Sequence, residues 1–139
     1  MIHVCPPQVA PDFIRVSPLA DAADWVDVVP HTLRHRTWAK VWSLGDPMNA
    51  PNAKAAAAAR KQAPTDAENL VADLASRGAA AQYDGYGSCP LMVERGRIVL
   101  AEFGGGGALK PSFPAWLMDG TWPSRLAWLL KERLPPPVY

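Results

Sequence analysis

The chain has 139 residues, a length typical of a single domain. Hydrophobic residues make up 49% and charged residues 19%, which indicates a globular protein rather than a disordered one. The net charge of +1 argues against a nucleic-acid binder held by phosphate contacts. We expect no signal peptide, because no basic and apolar leader follows Met1, and no stretch is long enough for a membrane-spanning helix.

The first 44 residues predict short β segments interrupted by proline. An apolar strand at residues 2–5 should end at the prolines that follow, because proline cannot donate to a β ladder. Runs at 25–29 and 32–34 alternate in polarity on either side of Pro30 and predict a hairpin-like pair. Residues 41–44 form a further compact β run that a turn follows directly.

A helical region is predicted from about residue 53 to 76. Asn52 can cap it, and the alanine-rich sequence that follows favours helix. Because Pro64 removes a backbone hydrogen bond and clashes with the preceding turn, we expect a kink or a restart there. The apolar residues of the second half should face the core and its acidic residues the solvent. The two sets are Leu70, Val71 and Leu74, and Asp66, Glu68 and Asp73.

A second β unit and a last helix complete the pattern. The runs 88–94 and 97–103 flank an Arg-Gly pair, which is a good hairpin signal. The four glycines at 104–107 predict a flexible loop, since they lack the strand–fingerprint–helix setting of a dinucleotide site. Pro123 should open the helix that runs from 124 to 134.

Asp46 and Lys54 are candidate ligand-binding residues. A strand that ends in Gly-Asp before a helix places a carboxylate near unpaired N–H groups, which suit an electron-rich ligand oxygen. Lys54 in the first helical turn would add positive charge. The alternative is an ordinary turn at Asp46, a routine cap at Asn52 and a solvated lysine, and spacing alone favours this alternative.

Cys89 is a candidate for thiol chemistry. It lies between β segments and close to a glycine, a position that can present a thiolate for nucleophilic or redox work. A buried apolar cysteine is the commoner fate. A disulfide between Cys5 and Cys89 is a third option, which would need an oxidising compartment.

Two further features have less specific interpretations. His31 and His35 have the spacing of two metal ligands on a helix, but Pro30 favours a turn and no third ligand lies nearby, so we expect no metal site.

The last helix mixes Trp128 and leucines with basic residues. Such a helix can lie at a membrane interface or pack on its own domain, and the residues alone favour packing.

Three motifs carry a resemblance to a known family. They are Val41-Trp42-Ser43-Leu44-Gly45-Asp46, Pro51-Asn52-Ala53-Lys54 and, most specifically, Tyr83-Asp84-Gly85-Tyr86-Gly87-Ser88-Cys89-Pro90-Leu91. The chain resembles the sulfide:quinone oxidoreductase and flavocytochrome c sulfide dehydrogenase family of FAD-dependent flavoproteins. The resemblance covers essentially the whole chain, but only the C-terminal portion of that family.

The resemblance implies an α/β fold. The chain would be part of a two-dinucleotide-binding-domain (Rossmann-like) flavoprotein with a C-terminal β-hairpin and an amphipathic helix. Residues 1–40 would end the nucleotide-binding-like domain, and residues 41–78 would supply the last strand and helix of the FAD-binding domain. Residues 79–139 would form the C-terminal hairpin and the helix on the membrane and quinone side.

The resemblance also implies roles for individual residues. Asp46 would hold the ribityl chain of FAD, Gly45 would let the backbone come close, and Lys54 would point at the pyrimidine edge of the flavin. Cys89 matches the redox cysteine of the family, which accepts sulfur from sulfide. The quinone pocket and a membrane-facing surface would involve Phe113, Trp116 and Trp128, which revises the last helix towards membrane contact. A peripheral membrane or cytoplasmic protein is therefore expected.

Some departures from the family pattern bear on function. No glycine-rich FAD fingerprint is present, no second redox cysteine matches the pattern, and Gly105 stands where an aromatic residue is common. We expect a C-terminal part of an enzyme that oxidises sulfide and passes electrons through FAD to quinone, joined by a separately encoded N-terminal half. The alternative is a catalytically inert truncated fragment or a docking subunit of a split flavoprotein.

Overall fold

The computed structural model describes residues 2, 4–51 and 54–133. Its elements, in chain order, are α1 (Asp12–Arg15), α2 (Ala56–Leu74), β1 (Gly87–Glu94), β2 (Arg97–Phe103), a 3₁₀ turn (Gly105–Gly107) and α3 (Arg125–Arg133). Within the described residues, none of the helices has the length and apolar character needed to cross a membrane. The predicted cap Asn52 and the predicted helix end Leu134 lie outside the described residues.

Isolated β bridges, rather than strands, hold residues 20–48 together. Val28 pairs with His35 and Arg34 with Trp42, both antiparallel, so the expected hairpin-like pair exists only as single bridges. The predicted strand runs at 25–29, 32–34 and 41–44 are therefore wrong. Leu33 has a φ of 66°, in the left-handed region, which interrupts an extended chain at the point where the second run should pair.

The predicted first strand is also wrong. Ile2, Val4 and Cys5, its described residues, form no strand, and the side chains of Ile2 and Val4 are exposed. The first core cluster instead begins at α1 and packs residues from distant parts of the chain onto one another. It contains Ile14, Val26, Val28, Leu33, Met48, Ala50 and Tyr83.

The helix α2 is continuous through Pro64, so the expected restart is wrong. It begins at Ala56, after an N-cap at Ala55 that offers no side-chain hydrogen bond, rather than at residue 53. Buried residues lie on both sides of Pro64, and this packing outweighs the loss of one backbone hydrogen bond.

The buried face of α2 does not contain the predicted apolar residues, whereas Glu68 is exposed as expected. Leu70, Val71 and Leu74 are exposed, whereas the buried set is Ala58, Gln62, Thr65, Asn69 and Ala72. The helix faces loop backbone, and amide and hydroxyl side chains can hydrogen-bond to that backbone where leucine cannot.

The predicted hairpin is confirmed. β1 and β2 pair antiparallel, with Cys89 opposite Ala101 and Ser88 opposite Glu102. Because side chains alternate between the two faces of a strand, Cys89 and Glu102 lie on opposite faces of the hairpin. α2 lies against β1 and α3 against β2.

The second core cluster lies between the hairpin and α3. Ile98, Met118 and Ala127 are its buried members, and the half-buried residues Leu100, Phe113, Trp128 and Leu130 pack against them. Ser124 caps α3, since its Oγ accepts from the N–H groups of Leu126 at 3.1 Å and Ala127 at 3.3 Å. The last helix is therefore confirmed in place, although Pro123 precedes the cap instead of lying in the first turn.

The glycine run forms a defined turn rather than the expected flexible loop. The N–H of Gly104 donates to the carbonyl of Ala108 at 2.8 Å, which closes the 3₁₀ turn. The N–H of Gly105 donates to the carbonyl of Asp84 at 2.9 Å and draws the turn against the segment before β1.

Gly85 and Gly96 make a matched pair for testing this close approach. Both have positive φ, 75° and 79°. A Cβ on Gly85 would lie 2.6 Å from the Cα of Gly105, whereas a Cβ on Gly96 would meet nothing within 4 Å. We expect Gly96→Ala to cost roughly 1–2 kcal/mol of unfolding free energy, and Gly85→Ala to cost more because of the added clash. Urea denaturation measures both; equal losses would contradict the close approach.

Candidate functional site

Asp46 and Lys54 line the same open cleft, together with Trp25. The cleft has a volume of about 490 Å³. Its remaining lining residues come from the turn after Asp46 and from the segment around α1, and they are Gln8, Val9, Pro11, Phe13 and Pro47. The structure thus brings together the two candidate ligand-binding residues and adds aromatic walls.

The ammonium group of Lys54 is held on three sides. Its Nζ donates to the carbonyls of Asp46 at 2.6 Å and Met48 at 3.2 Å, and it lies 3.1 Å from the centroid of the Trp25 ring. A cation in this position is stabilised by the ring. Burial lowers the pKa of Lys54, while the carboxylates of Asp46 and Asp21 oppose this shift.

The environment of Lys54 corrects two expectations. Lys54 lies before α2 and not in its first turn, because the helix begins at Ala56. The alternative of a freely solvated lysine is also wrong, since two backbone carbonyls and a ring surround the ammonium group. Because two of its three N–H groups are used internally, Lys54 offers a ligand mainly its fixed positive charge.

The turn that carries Asp46 is anchored to α2. The buried N–H of Gly45 donates to Oε1 of Gln62 at 2.7 Å. The residue after it, Asp46, is exposed in the cleft, and its backbone carbonyl is bound by Lys54. An exposed carboxylate beside a fixed cation suits a ligand that has both hydroxyl groups and an electron-rich edge.

Cys89 lies outside this cleft. It is an exposed, free thiol on β1, so the alternative of a buried apolar cysteine is wrong. Both cysteines belong to the described part of the chain, and no disulfide joins them. The structure therefore pairs Asp46 with Lys54 and places the candidate nucleophile on a neighbouring element.

A chain of buried polar groups connects the two elements. Gln62, which holds Gly45, lies beside the phenol of Tyr83, and the hydroxyl of Tyr83 donates to the carbonyl of Tyr86. Tyr86 in turn directly precedes β1, the strand that carries Cys89. Sequence reasoning missed Gln62, Tyr83 and Tyr86 as site residues, although both tyrosines belong to the most specific motif.

The three residues expected on the quinone side separate into two groups. Phe113 and Trp128 pack against the second core cluster, and Phe113 also lines a small cavity of about 50 Å³. Trp116 is 85% exposed. Phe113 packs on the face of the hairpin that contains Ile98 and Leu100, opposite the face that carries Cys89.

The two histidines bind backbone. Nδ1 of His35 accepts from the N–H groups of Thr37 and Trp38, so its Nε2 carries the proton and donates to the carbonyl of Leu19. His31 donates from Nδ1 to the carbonyl of Tyr83 at 3.1 Å. Within the described residues, no group of three or more His, Cys, Asp or Glu side chains is arranged to hold a metal ion.

Three curated relatives of the chain have the same description. No protein-family model matches it. Mitochondrial sulfide:quinone oxidoreductase of Mus musculus is 42% identical over 103 residues, which is 74% of this chain and 23% of that protein. The proteins of the same description from Dictyostelium discoideum and Schizosaccharomyces pombe are 39% and 34% identical over all of this chain, and over 30% and 31% of their own lengths.

The chain is a relative of the sulfide:quinone oxidoreductases. This confirms the relationship that the motifs indicated. The chain spans between about a quarter and a third of the length of these relatives. The fold itself is similar to a chain in the mitochondrial ATP synthase of Tetrahymena thermophila, with a TM-score of 0.73 and 22% identity over 88% of this chain and 28% of that one.

Tyr83 and Tyr86 should make the stability of the folded protein fall at alkaline pH. Burial raises the pKa of both Tyr83 and Tyr86, and the neighbouring Glu102 carboxylate raises that of Tyr86 further. The folded protein therefore keeps two protons that the unfolded chain releases near pH 10. This contribution to stability is complete below about pH 10 and is lost as the pH rises through the folded-state pKa values.

We expect the free energy of unfolding to fall steeply above pH 10, and the fall to be shallower in Tyr86→Phe. Urea denaturation between pH 8 and 11.5 measures the slope, and tyrosinate absorbance measures the titration directly. The difference in tyrosinate absorbance between wild type and Tyr86→Phe reports the titration of Tyr86. A midpoint at or below pH 10 would show that burial does not raise the pKa of Tyr86.

Proposed function

We propose that this chain supplies part of the flavin site and the sulfur-carrying thiol of a FAD-dependent sulfide:quinone oxidoreductase. The observation that carries the proposal is the similarity over the full chain to two relatives of that name. The cleft that joins Asp46 and Lys54 supports it independently. In this proposal the remainder of the enzyme lies beyond these 139 residues, either on the same polypeptide or on a separate one.

The chemistry of the cleft fits FAD. The Asp46 carboxylate would accept hydrogen bonds from the ribityl hydroxyl groups, and Gly45 would leave the backbone accessible beside it. The charge of Lys54 would stabilise negative charge at the pyrimidine edge of the isoalloxazine ring. The exposed ring of Phe13 offers an apolar face to a planar ring, while the ring of Trp25 holds the ammonium group of Lys54.

Cys89 would carry the sulfur atom. The overall reaction converts sulfide and quinone into zero-valent sulfur and quinol, with transfer of two electrons and two protons. When bound, FAD supplies the two-electron relay between donor and acceptor. Hydrosulfide attack on a disulfide between Cys89 and a second cysteine of the enzyme would form the Cys89 persulfide and release the other cysteine as a thiolate.

The C-terminal surface suits the acceptor side and a membrane. Large apolar side chains are exposed there, and basic residues lie in the last turn of α3. The apolar set is Trp116, Leu117, Trp122, Leu126 and Leu129. A peripheral contact with a bilayer would cover this surface and bring a lipid-soluble quinone close to Phe113 and Trp128.

A docking subunit without activity of its own is the second candidate. The observation that favours it is the lack of any G-x-G-x-x-G fingerprint in the sequence, so the ADP half of FAD has no recognisable site. We expect the purified chain to remain colourless with added FAD, and the assembled enzyme to show a flavin absorption band. Flavin binding without sulfide-dependent turnover in the assembled enzyme would favour the docking subunit.

The role of Cys89 is tested by Cys89→Ser in the assembled enzyme. We expect flavin to remain bound while its reduction by sulfide is abolished, because serine keeps the shape but provides no nucleophilic sulfur. Cys5→Ser is the matched control at the other exposed cysteine, and its flavin reduction should match that of wild type. Unchanged reduction in Cys89→Ser would refute the assignment.

The role of Asp46 is tested by Asp46→Ala. Hydrogen bonds to a charged group are worth about 1.5 to 3 kcal/mol, so the loss of one should weaken FAD binding by about tenfold to a hundredfold. Equilibrium dialysis of the assembled enzyme measures the dissociation constant. Glu94→Ala, which removes an exposed carboxylate at the end of β1, should leave it unchanged. Equal affinities for wild type and Asp46→Ala would remove Asp46 from the site.

A further inference from the structure

A buried carboxylate on β2 has three hydrogen-bond donors around it. Glu102 is 5% exposed. Its Oε1 accepts from the Tyr86 hydroxyl at 2.5 Å and from Oγ of Ser112 at 2.6 Å, and its Oε2 accepts from the N–H of Ser112 at 2.7 Å. Hydrogen bonds to an ionised acceptor are shorter and stronger than neutral ones.

The backbone of Glu102 also binds the segment that contains Ser112. Its carbonyl accepts from the N–H of Lys110 at 3.0 Å, and the side chain of Lys110 forms an ion pair with Asp84. Side chain and backbone of one residue therefore fix both Lys110 and Ser112. Together they determine where the next residue, Phe113, meets the hairpin.

The position of Phe113 defines the small cavity on this face of the hairpin. Phe113 lines it together with Leu100, Leu109 and Met118, and Glu102 itself lies in its wall. Cys89 lies on the opposite face, so a change at Glu102 reaches the Phe113 side without a direct contact to the thiol.

We propose that Glu102, itself bound by the Tyr86 hydroxyl, is a positioning residue for the electron-acceptor side: through Ser112 it holds Phe113 against the hairpin. The inference rests on the proposed function, because it assigns the Phe113 side to the acceptor. Glu102 has no role in the attack of sulfide, which takes place at Cys89 on the other face.

The test compares the two half-reactions in the assembled enzyme. In Glu102→Gln the side chain keeps its size, but a neutral amide replaces the carboxylate, so the hydrogen bonds with Tyr86 and Ser112 lose their charge assistance and the hold on Phe113 weakens. We expect the KM for a soluble short-chain ubiquinone to rise about tenfold, as for the loss of one hydrogen bond to a charged group. The rate of flavin reduction by sulfide, measured without quinone, should stay within about twofold of the wild-type rate.

Two smaller changes keep the inference testable if Glu102→Gln does not fold. Tyr86→Phe and Ser112→Ala each remove a single hydroxyl from the cluster, and each should raise the quinone KM in the same direction. Ser17→Ala is the matched control, because the Ser17 hydroxyl also fixes a local segment, through Ile14 and Leu19, but in the first core region. Its quinone KM should equal that of wild type.

The outcomes separate the two proposals. A wild-type enzyme without sulfide-dependent quinone reduction overturns the proposed function, and the inference fails with it. An active wild type in which these variants leave the quinone KM unchanged overturns the inference alone. An equal loss in the sulfide half-reaction also overturns it, because it would mean that Glu102 supports the fold as a whole.

Discussion

Two buried amide side chains on α2 hold the structure together. Gln62 accepts the N–H of Gly45, while Asn69 donates to the carbonyls of Thr32 and Ala81 and accepts the N–H groups of Ala80 and Ala81. The described part of the chain has one two-stranded sheet, so many loop backbone groups need partners from elsewhere. A buried donor or acceptor left unsatisfied costs about 1–3 kcal/mol, and these two amides prevent several such losses on the backbone, while Nε2 of Gln62 itself has no hydrogen-bond partner among the described residues.

The hairpin divides the proposed chemistry between its faces. Cys89 lies on one face, and Glu102 and Phe113 lie on the other, with a single layer of backbone between them. A series of polar contacts runs from Gly45 through Gln62 and Tyr83 to the backbone carbonyl of Tyr86, and the side chain of Tyr86 separately binds Glu102. In the proposed function, the sulfur donor and the quinone would occupy these two separate surfaces.

The sequence predicted what local signals encode. The Arg-Gly pair between two apolar runs located the hairpin, and Pro123 and the alanine run located two helices. The extended runs before residue 45 were wrongly predicted to be strands. Strand formation depends on pairing partners, and the left-handed φ of Leu33 cannot be read from an alternating pattern. The apolar side of α2 was predicted wrongly, since hydrophobicity places Leu70 inside, whereas the neighbouring surface is polar backbone that Gln62 and Asn69 bind. The cleft partner Trp25 and the carboxylate cluster at Glu102 join residues far apart in sequence, and no local spacing marks them.

Native-state hydrogen exchange of three backbone N–H groups tests the central role of the α2 amides most directly. They are the N–H groups of Gly45, Ala80 and Ala81, which donate hydrogen bonds to the side-chain oxygens of Gln62 and Asn69. We expect these groups to exchange with the same opening free energy as the interior of α2, because they are released only when the helix leaves. Exchange of these groups at the unprotected rate, while α2 stays protected, would contradict it.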